Sequence, residues 1–218
     1  MVKRTLIKRP RIFLADDHNL LLDAYQRLLE PEFEVVGTAS DGKSLIRLAP
    51  QSMPDLIVID LGLPLLNGMD AGAQLKALMP KVRLVVVTMN EDVEIAVQAL
   101  RTWAAGFLLK KCAGAELVFA IHEVLAGRSY IAPHTAHQIE REFIRDPAVQ
   151  CNKTLSLRQR EVLQLLAEGM TMKEAASVLC LTARTVAFHK YSIMEQFDLH
   201  TNLDLLRLAM REHLVSTT

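Results

Sequence analysis

Five polar residues in the first half of the chain stand directly behind short apolar runs, and together they could handle a phosphoryl group. Asp16 and Asp17 follow Ile12-Phe13-Leu14-Ala15, and Asp60 follows Leu56-Ile57-Val58-Ile59. Thr88 follows Leu84-Val85-Val86-Val87, and Lys110 follows Gly106-Phe107-Leu108-Leu109. Three carboxylates converging in one cleft repel each other and demand a cation. Hard oxygen donors with few protein ligands suit Mg2+, which keeps several waters and accepts phosphate oxygens. A hydroxyl and an ammonium beside them would bind the remaining phosphoryl oxygens. One aspartate could then serve as a nucleophile and form an acyl phosphate, with metal and lysine neutralising charge during in-line transfer. Taken singly, each residue has a plainer reading: aspartate as a helix cap, threonine as a turn residue, lysine as a solvated charge. Their joint order along the chain carries the chemistry.

The elements that must position these residues are legible as a pattern. The four apolar runs, with a further one at Val35-Val36-Gly37-Thr38-Ala39, are short and continuous, as strands covered on both faces are. Amphipathic stretches fill the gaps, marked by Leu20, Tyr25, Leu28 and Leu29, and by Leu45, Ile46 and Leu48 ending before Pro50. Others are marked by Ala71, Leu75 and Leu78, by Val93, Val97 and Leu100, and by Leu117, Ile121, Val124 and Leu125. Strict alternation predicts an α/β fold with a doubly wound five-stranded parallel sheet over residues 10–126. Ligands of such sheets bind at the carboxyl ends of the strands, where the five polar residues fall.

The pattern weakens over residues 127–152, where Pro133 and Asp146-Pro147 interrupt it; this stretch reads as a linker with a short helix around Ala136 to Ile144. Residues 153–216 show helical patterns only. A first helix spans Arg158 to Glu168, before Gly169. A second, to Leu179, opens with Thr171 and Glu174 in capping-box spacing. Thr182 can cap a third that runs to about Phe197, and a fourth spans roughly Leu203 to His213. Four short helices make a small all-α domain.

Composition bounds the rest. The chain has 218 residues, half of them apolar, with no formal net charge, which suits two modest domains with real cores. No apolar run reaches the roughly 20 residues of a membrane span. The basic N-terminus leads to Asp16, Asp17 and His18 rather than to an uninterrupted apolar run, so it does not read as a signal peptide. Cys112, Cys151 and Cys180 have no metal-ligand spacing, and the reducing cytoplasm is the expected compartment. Zero net charge argues against a protein that coats nucleic acid non-specifically, yet permits a local DNA-binding patch.

Asp16-Asp17-His18, Pro54-Asp55 through Asp60, Pro64-Leu65-Leu66-Asn67-Gly68, Val87-Thr88 and Gly106 through Lys110 together resemble the receiver domain of response regulators, over about residues 10 to 126. The resemblance implies Asp60 as the phosphoacceptor. It implies Mg2+ held by Asp17, Asp60 and the backbone carbonyl of Gly62, with Asp16 acting through water. Thr88 and Lys110 would grip the phosphoryl oxygens, and Phe107 would be the switch aromatic. Trp103, before Ala104-Ala105-Gly106, departs from the usual small residues and reads as packing. An aspartyl-phosphate hydrolase of the haloacid dehalogenase kind would need a second aspartate two residues after the nucleophile, where Gly62 stands.

In the second domain, Leu155 through Leu163, Leu165 through Gly169, Thr171 through Ala176 and Leu181 through Val186 with His189 resemble the LuxR-type helix-turn-helix. The whole chain therefore resembles a NarL/FixJ-type regulator. On the third helix Val186, Ile193 and Phe197, spaced by seven and four, form a core face. The opposite face presents Ala187, Phe188, Tyr191 and, further round, Arg184, and would enter the major groove. Phe188 and Tyr191 could instead pack against the first two helices, and His189 could serve the core or the DNA. Helix starts at Thr171 and Thr182, with Lys173, Arg184 and Lys190, could hold phosphates, and Thr185 joins this set. Ala187 or Phe188 could read thymine methyls. From Lys153 onward there are eight Lys/Arg and seven Asp/Glu, few net charges for a DNA binder, so pairing through the last helix, around Leu203 to Met210, matters. Cys180 and Asp198 stand at turns where glycine or asparagine is common, and Ser192 stands where many relatives carry arginine.

The expected protein is thus a transcription regulator, not an enzyme beyond its own phosphorylation and dephosphorylation. Its expected partners are a sensor histidine kinase, double-stranded DNA and a second copy of itself. The alternative is a phosphorylation-independent DNA-binding regulator that acts through dimerisation or protein partners.

Overall fold

A computed structural model describes residues 9–111, 114–133, 136 and 155–215. In chain order the first half forms β1 (Arg11–Ala15), α1 (Asn19–Leu29), β2 (Glu34–Ala39), α2 (Gly42–Ser52), β3 (Leu56–Ile59), α3 (Gly68–Leu78), β4 (Arg83–Thr88), α4 (Val93–Thr102), β5 (Gly106–Leu109), α5 (Gly114–Leu125) and β6 (Tyr130–Ile131). All strand pairings are parallel, in the order β2-β1-β3-β4-β5-β6. The strand period of two sends Phe13, Ile57, Ile59, Leu84 and Val86 to one apolar layer with Leu45, Ala71, Leu75 and Ala96 from α2, α3 and α4. It sends Ile12, Leu14, Val58, Val85 and Leu108 to the other, with Leu22, Leu117 and Ile121 from α1 and α5.

The sheet has six strands, not five. Tyr130–Ile131 adds a parallel edge to β5 inside the stretch read as a linker, with Tyr130 N donating to Ala105 O and Ala132 N to Phe107 O. Two residues are too few to leave a period in the sequence, and a preceding Gly127 at φ +87° masks the continuity. The expected helix around Ala136 to Ile144 lies outside the described residues, Ala136 alone excepted. The second helix also differs: α2 continues through Pro50 and ends at Met53, which takes a left-handed φ of 44°. A proline in the final turn removes one hydrogen bond near an end that would fray anyway, so the helix tolerates it. Trp103 is buried, and a Cβ on Gly72 would meet its ring at 2.6 Å. The small residue on α3 makes room for the large one after α4.

The second half forms α6 (Leu157–Ala167), α7 (Met172–Leu179), α8 (Ala183–Phe197) and α9 (Asn202–Arg211). Ser156 with Gln159, Thr171 with Glu174 and Thr201 with Asp204 complete capping boxes, and Thr182 caps α8 by accepting from Thr185 N. Cys180 and Asp198 both close their helices in the left-handed region, φ 54° and 56°, without being glycine. Two small cores result. One joins Leu163, Ile193, Leu205 and Leu208; the other joins Val162, Leu165, Ala175, Leu179 and Val186. Among the described residues no helix is long and apolar enough to cross a membrane.

Candidate functional site

The parallel register brings the ends of β1, β3, β4 and β5 to one edge. Asp16 N donates to Ala39 O, Asp60 N to Ala15 O and Lys110 N to Thr88 O, so four of the five strand-end residues are tied through the sheet itself. Gly68 tightens the other wall: a Cβ there would lie 2.1 Å from the Asp60 carbonyl, so only glycine lets α3 start this close behind Asp60.

At this edge the Lys110 ammonium lies 2.7 Å from Asp16 Oδ2 and 2.8 Å from Asp60 Oδ2. Asp16, Asp60 and Thr88 are buried, at 3%, 5% and 2% exposure, so the charges meet with little water between them. Burial alone would lower the Lys110 ammonium. The charge of Asp60 and hydrogen bonds to Asp16 and Asp60 outweigh it and hold the group above the ordinary lysine value. Asp17 is more open, with its Oδ1 2.6 Å from His18 Nδ1, and the His18 amide donates to Asp16 Oδ1. Asp16, Asp17 and His18 bring their donor atoms within 4.8 Å of one another. Thr88 Oγ1 accepts from Asn90 N. Gly62 lines the cleft, and Phe107 is buried in the apolar layer beneath, 2% exposed.

The donor set fits Mg2+. Asp16, Asp17 and Asp60 bring three carboxylates against one lysine, so hard oxygen atoms and excess negative charge stand side by side. The whole cleft measures about 880 Å³ and is walled by both halves of the chain: Asp17, Asp60, Thr88 and Lys110 from one, Glu168, Met210, His213 and Leu214 from the other.

That second wall is held by a stripe on α6 that the sequence pattern did not single out. Arg160, Gln164 and Glu168, four residues apart, share one helix face. Gln164, buried at 1% exposure, accepts from Asn67 N at 2.8 Å and donates to Leu63 O at 3.1 Å. Glu168 accepts from Leu65 N at 3.2 Å, and Arg160 Nε donates to Asp70 at 3.0 Å. Lys43 pairs with Glu161 at 2.7 Å, and His213 Nε2 lies 3.2 Å from Asp92 Oδ2. Burial pushes the Glu168 carboxyl above the ordinary value, against hydrogen bonds from Gln164 and Leu65 that favour its charge. A glutamine amid Val162, Leu163, Leu165 and Leu166 was the available signal: a polar group set into an apolar run needs a partner.

The candidate nucleic-acid face lies on α8. Phe188 and Tyr191 stand in solvent at 68% and 60% exposure, so they are not packed against α6 and α7. Arg184 and Thr182 are exposed, Ala187 and His189 half-buried, and Val186 and Ile193 fully buried beneath them. Thr185 Oγ1 lies 2.9 Å from the Thr182 hydroxyl. Lys190 is turned toward Asn202 at the start of α9, 2.8 Å away. Thr171 and Lys173 are exposed at the start of α7.

Comparison with known proteins places both halves. Residues 12–122 match the response regulator receiver domain, and residues 153–209 match bacterial regulatory proteins of the luxR family. The oxygen regulatory protein NreC of Staphylococcus carnosus is 30% identical over 214 residues, covering 94% of this chain and 99% of that protein. The RcsB response regulator of Salmonella typhimurium, solved in a study of conformational dynamism for DNA interaction, is 26% identical with a TM-score of 0.62, covering 93% of this chain and 97% of that one. A structure of two RcsB dimers bound to two parallel DNAs matches with 26% identity and a TM-score of 0.58, covering 92% of this chain and 97% of that one.

Proposed function

The chain belongs to the two-component response regulators of the NarL/FixJ type, with a receiver domain and a LuxR-type DNA-binding domain, and from this premise we propose that Asp60 accepts a phosphoryl group and that its state controls DNA binding. One observation carries the reading: Lys110 bridges Asp16 and Asp60 in a buried pocket at the strand ends, with Thr88 beside them. An Asp60 carboxylate oxygen attacks phosphorus. The new O–P bond forms as the P–N bond of a kinase phosphohistidine, or the P–O bond of acetyl phosphate, breaks, and the imidazole or acetate departs. Lys110 and the Thr88 hydroxyl hold the phosphoryl oxygens, and Phe107 lies beneath as the switch ring. Asp17, Asp60 and the Gly62 carbonyl would hold Mg2+, with Asp16 through water; the ion supplies charge neutralisation at the transferring group.

The output lies on α8. Phe188, Tyr191 and Ala187 meet base edges, while Thr171, Lys173, Thr182, Arg184, Thr185 and Lys190 position the phosphate backbone. With few positive charges to spare, the protein binds a two-fold site as a homodimer. It acts in the cytoplasm under a sensor histidine kinase. The test is binding to a duplex selected from a random library, at several salt concentrations, with and without acetyl phosphate and Mg2+. Tighter binding with the phosphodonor is expected. Equal binding would favour the phosphorylation-independent regulator, a reading that the solvent-exposed Phe188 and Tyr191 keep open.

A further inference from the structure

Asp60 and Glu168 belong to different domains yet line the same cleft. Between them runs the loop from Leu61 to Asn67, and three of its backbone groups are satisfied by Gln164 of α6 and Glu168 at its end. Leu63 O and Asn67 N bond to Gln164, and Leu65 N donates to Glu168. Leu65 itself is held at φ +65°, a left-handed conformation that a branched side chain avoids, and it packs into the apolar cluster of α6, α7 and α8. Contacts from the second domain therefore help to hold the loop behind Asp60 in a strained form.

Resting on the assignment of Asp60 as phosphoacceptor, we propose that Glu168 is the residue that reads its state: a phosphoryl group on Asp60 expels the Glu168 carboxylate from the shared cleft and frees α6 from the loop. The charge balance of the cleft supports this. Its lining includes the carboxylates of Asp17, Asp60, Glu91, Asp92 and Glu168, while Lys110 is the one lysine or arginine among the described lining residues and is already paired with Asp16 and Asp60; with one Mg2+ held at Asp17 and Asp60, negative charge would still exceed positive. A phosphoryl group adds a charge of about −1.5 to −2 near neutral pH, and beside a glutamate it acts by repulsion and by raising the desolvation cost. Glu168 is poorly placed to resist, since burial already holds its carboxyl above the ordinary value and it is retained by Leu65 N and Gln164 alone among the described residues. Losing it also removes the partner of Leu65 N, so the strained loop can relax. The coupling is reciprocal: whatever docks α6 more firmly opposes phosphorylation of Asp60.

The experiment is amide hydrogen exchange on the full-length chain with Mg2+, before and after acetyl phosphate, alongside mass measurement of phosphoryl incorporation, in wild type and Glu168→Gln. In the wild type, phosphorylation should speed exchange at the Leu65 and Asn67 amides by about tenfold or more. In Glu168→Gln, which keeps the shape and removes the charge, incorporation should be similar and the acceleration under about threefold. Equal acceleration in the two proteins, or incorporation without acceleration in the wild type, would overturn the role of Glu168 while leaving the phosphoacceptor standing. A Glu168→Gln chain already open before the donor is added would overturn it too. Absence of incorporation in the wild type would remove the phosphoacceptor reading and this inference with it.

Discussion

The proposed phosphoacceptor cleft and the α8 face are built on opposite principles. In the cleft, Asp16, Asp60 and Thr88 are nearly inaccessible, and Lys110 is fixed by two carboxylates at 2.7 and 2.8 Å. On α8, Phe188 and Tyr191 are mostly exposed, and Lys190 makes a single exposed bond to Asn202. The first region is preorganised: its dipoles and charges are in place before any phosphoryl group arrives, as electrostatic catalysis requires. The second is an open surface, with apolar area that is a solubility cost unless a partner, proposed here to be DNA, covers it. Chemistry on one atom needs rigidity, whereas reading a duplex needs reach. The stripe of Arg160, Gln164 and Glu168 on α6 joins the two domains through Leu63, Leu65, Asn67 and Asp70.

This contrast can be broken in graded ways. Lys110→Met removes the cation between two buried carboxylates and should slow phosphoryl incorporation from acetyl phosphate by about 10²–10³-fold, followed by intact-mass kinetics, with DNA binding of the unmodified protein unchanged. A comparable rate would mean that the cleft is not preorganised by that lysine. Next in size, Phe188→Ala or Tyr191→Ala should cost about 1–3 kcal/mol in affinity for a selected duplex by fluorescence anisotropy, with normal phosphoryl incorporation. Unchanged affinity would remove these rings from the interface. Gln164→Leu leaves Leu63 O and Asn67 N without their partner and should lower stability by about 1–3 kcal/mol in urea unfolding. No change would mean that water replaces the glutamine without cost.

The smallest effect is one of pH. The folded Glu168 carboxyl is raised above its ordinary value, so the docked arrangement takes up a proton more readily than the separated one. Docking should therefore strengthen as pH falls through the raised value, reach its full gain below the ordinary value, and weaken as pH rises through the raised one. Small-angle scattering across this range should report a more compact chain at lower pH; a more extended one would contradict the assignment.

Much of the molecule was legible because its signals are local. Continuous apolar runs mark β1 to β5, and a parallel sheet sends their carboxyl ends to one edge, so Asp16, Asp60, Thr88 and Lys110 could be placed together from order alone. Capping residues marked the starts of α7 and α8 for the same reason. What escaped depends on distant contacts. β6 is two residues long and exists only because β5 offers an edge. Arg160, Gln164 and Glu168 look like a solvated helix face until Asn67, 97 residues before Gln164, supplies the partner. The orientation of Lys190 likewise depends on Asn202, at the start of another helix.

The measurement that bears most directly on the whole is Mg2+-dependent phosphoryl incorporation from acetyl phosphate into the wild-type chain and into Asp60→Asn. One phosphoryl group labile to base and to hydroxylamine in the wild type, and none in the variant, is the predicted result. Incorporation that persists in Asp60→Asn, or that ignores the removal of Mg2+, would contradict it.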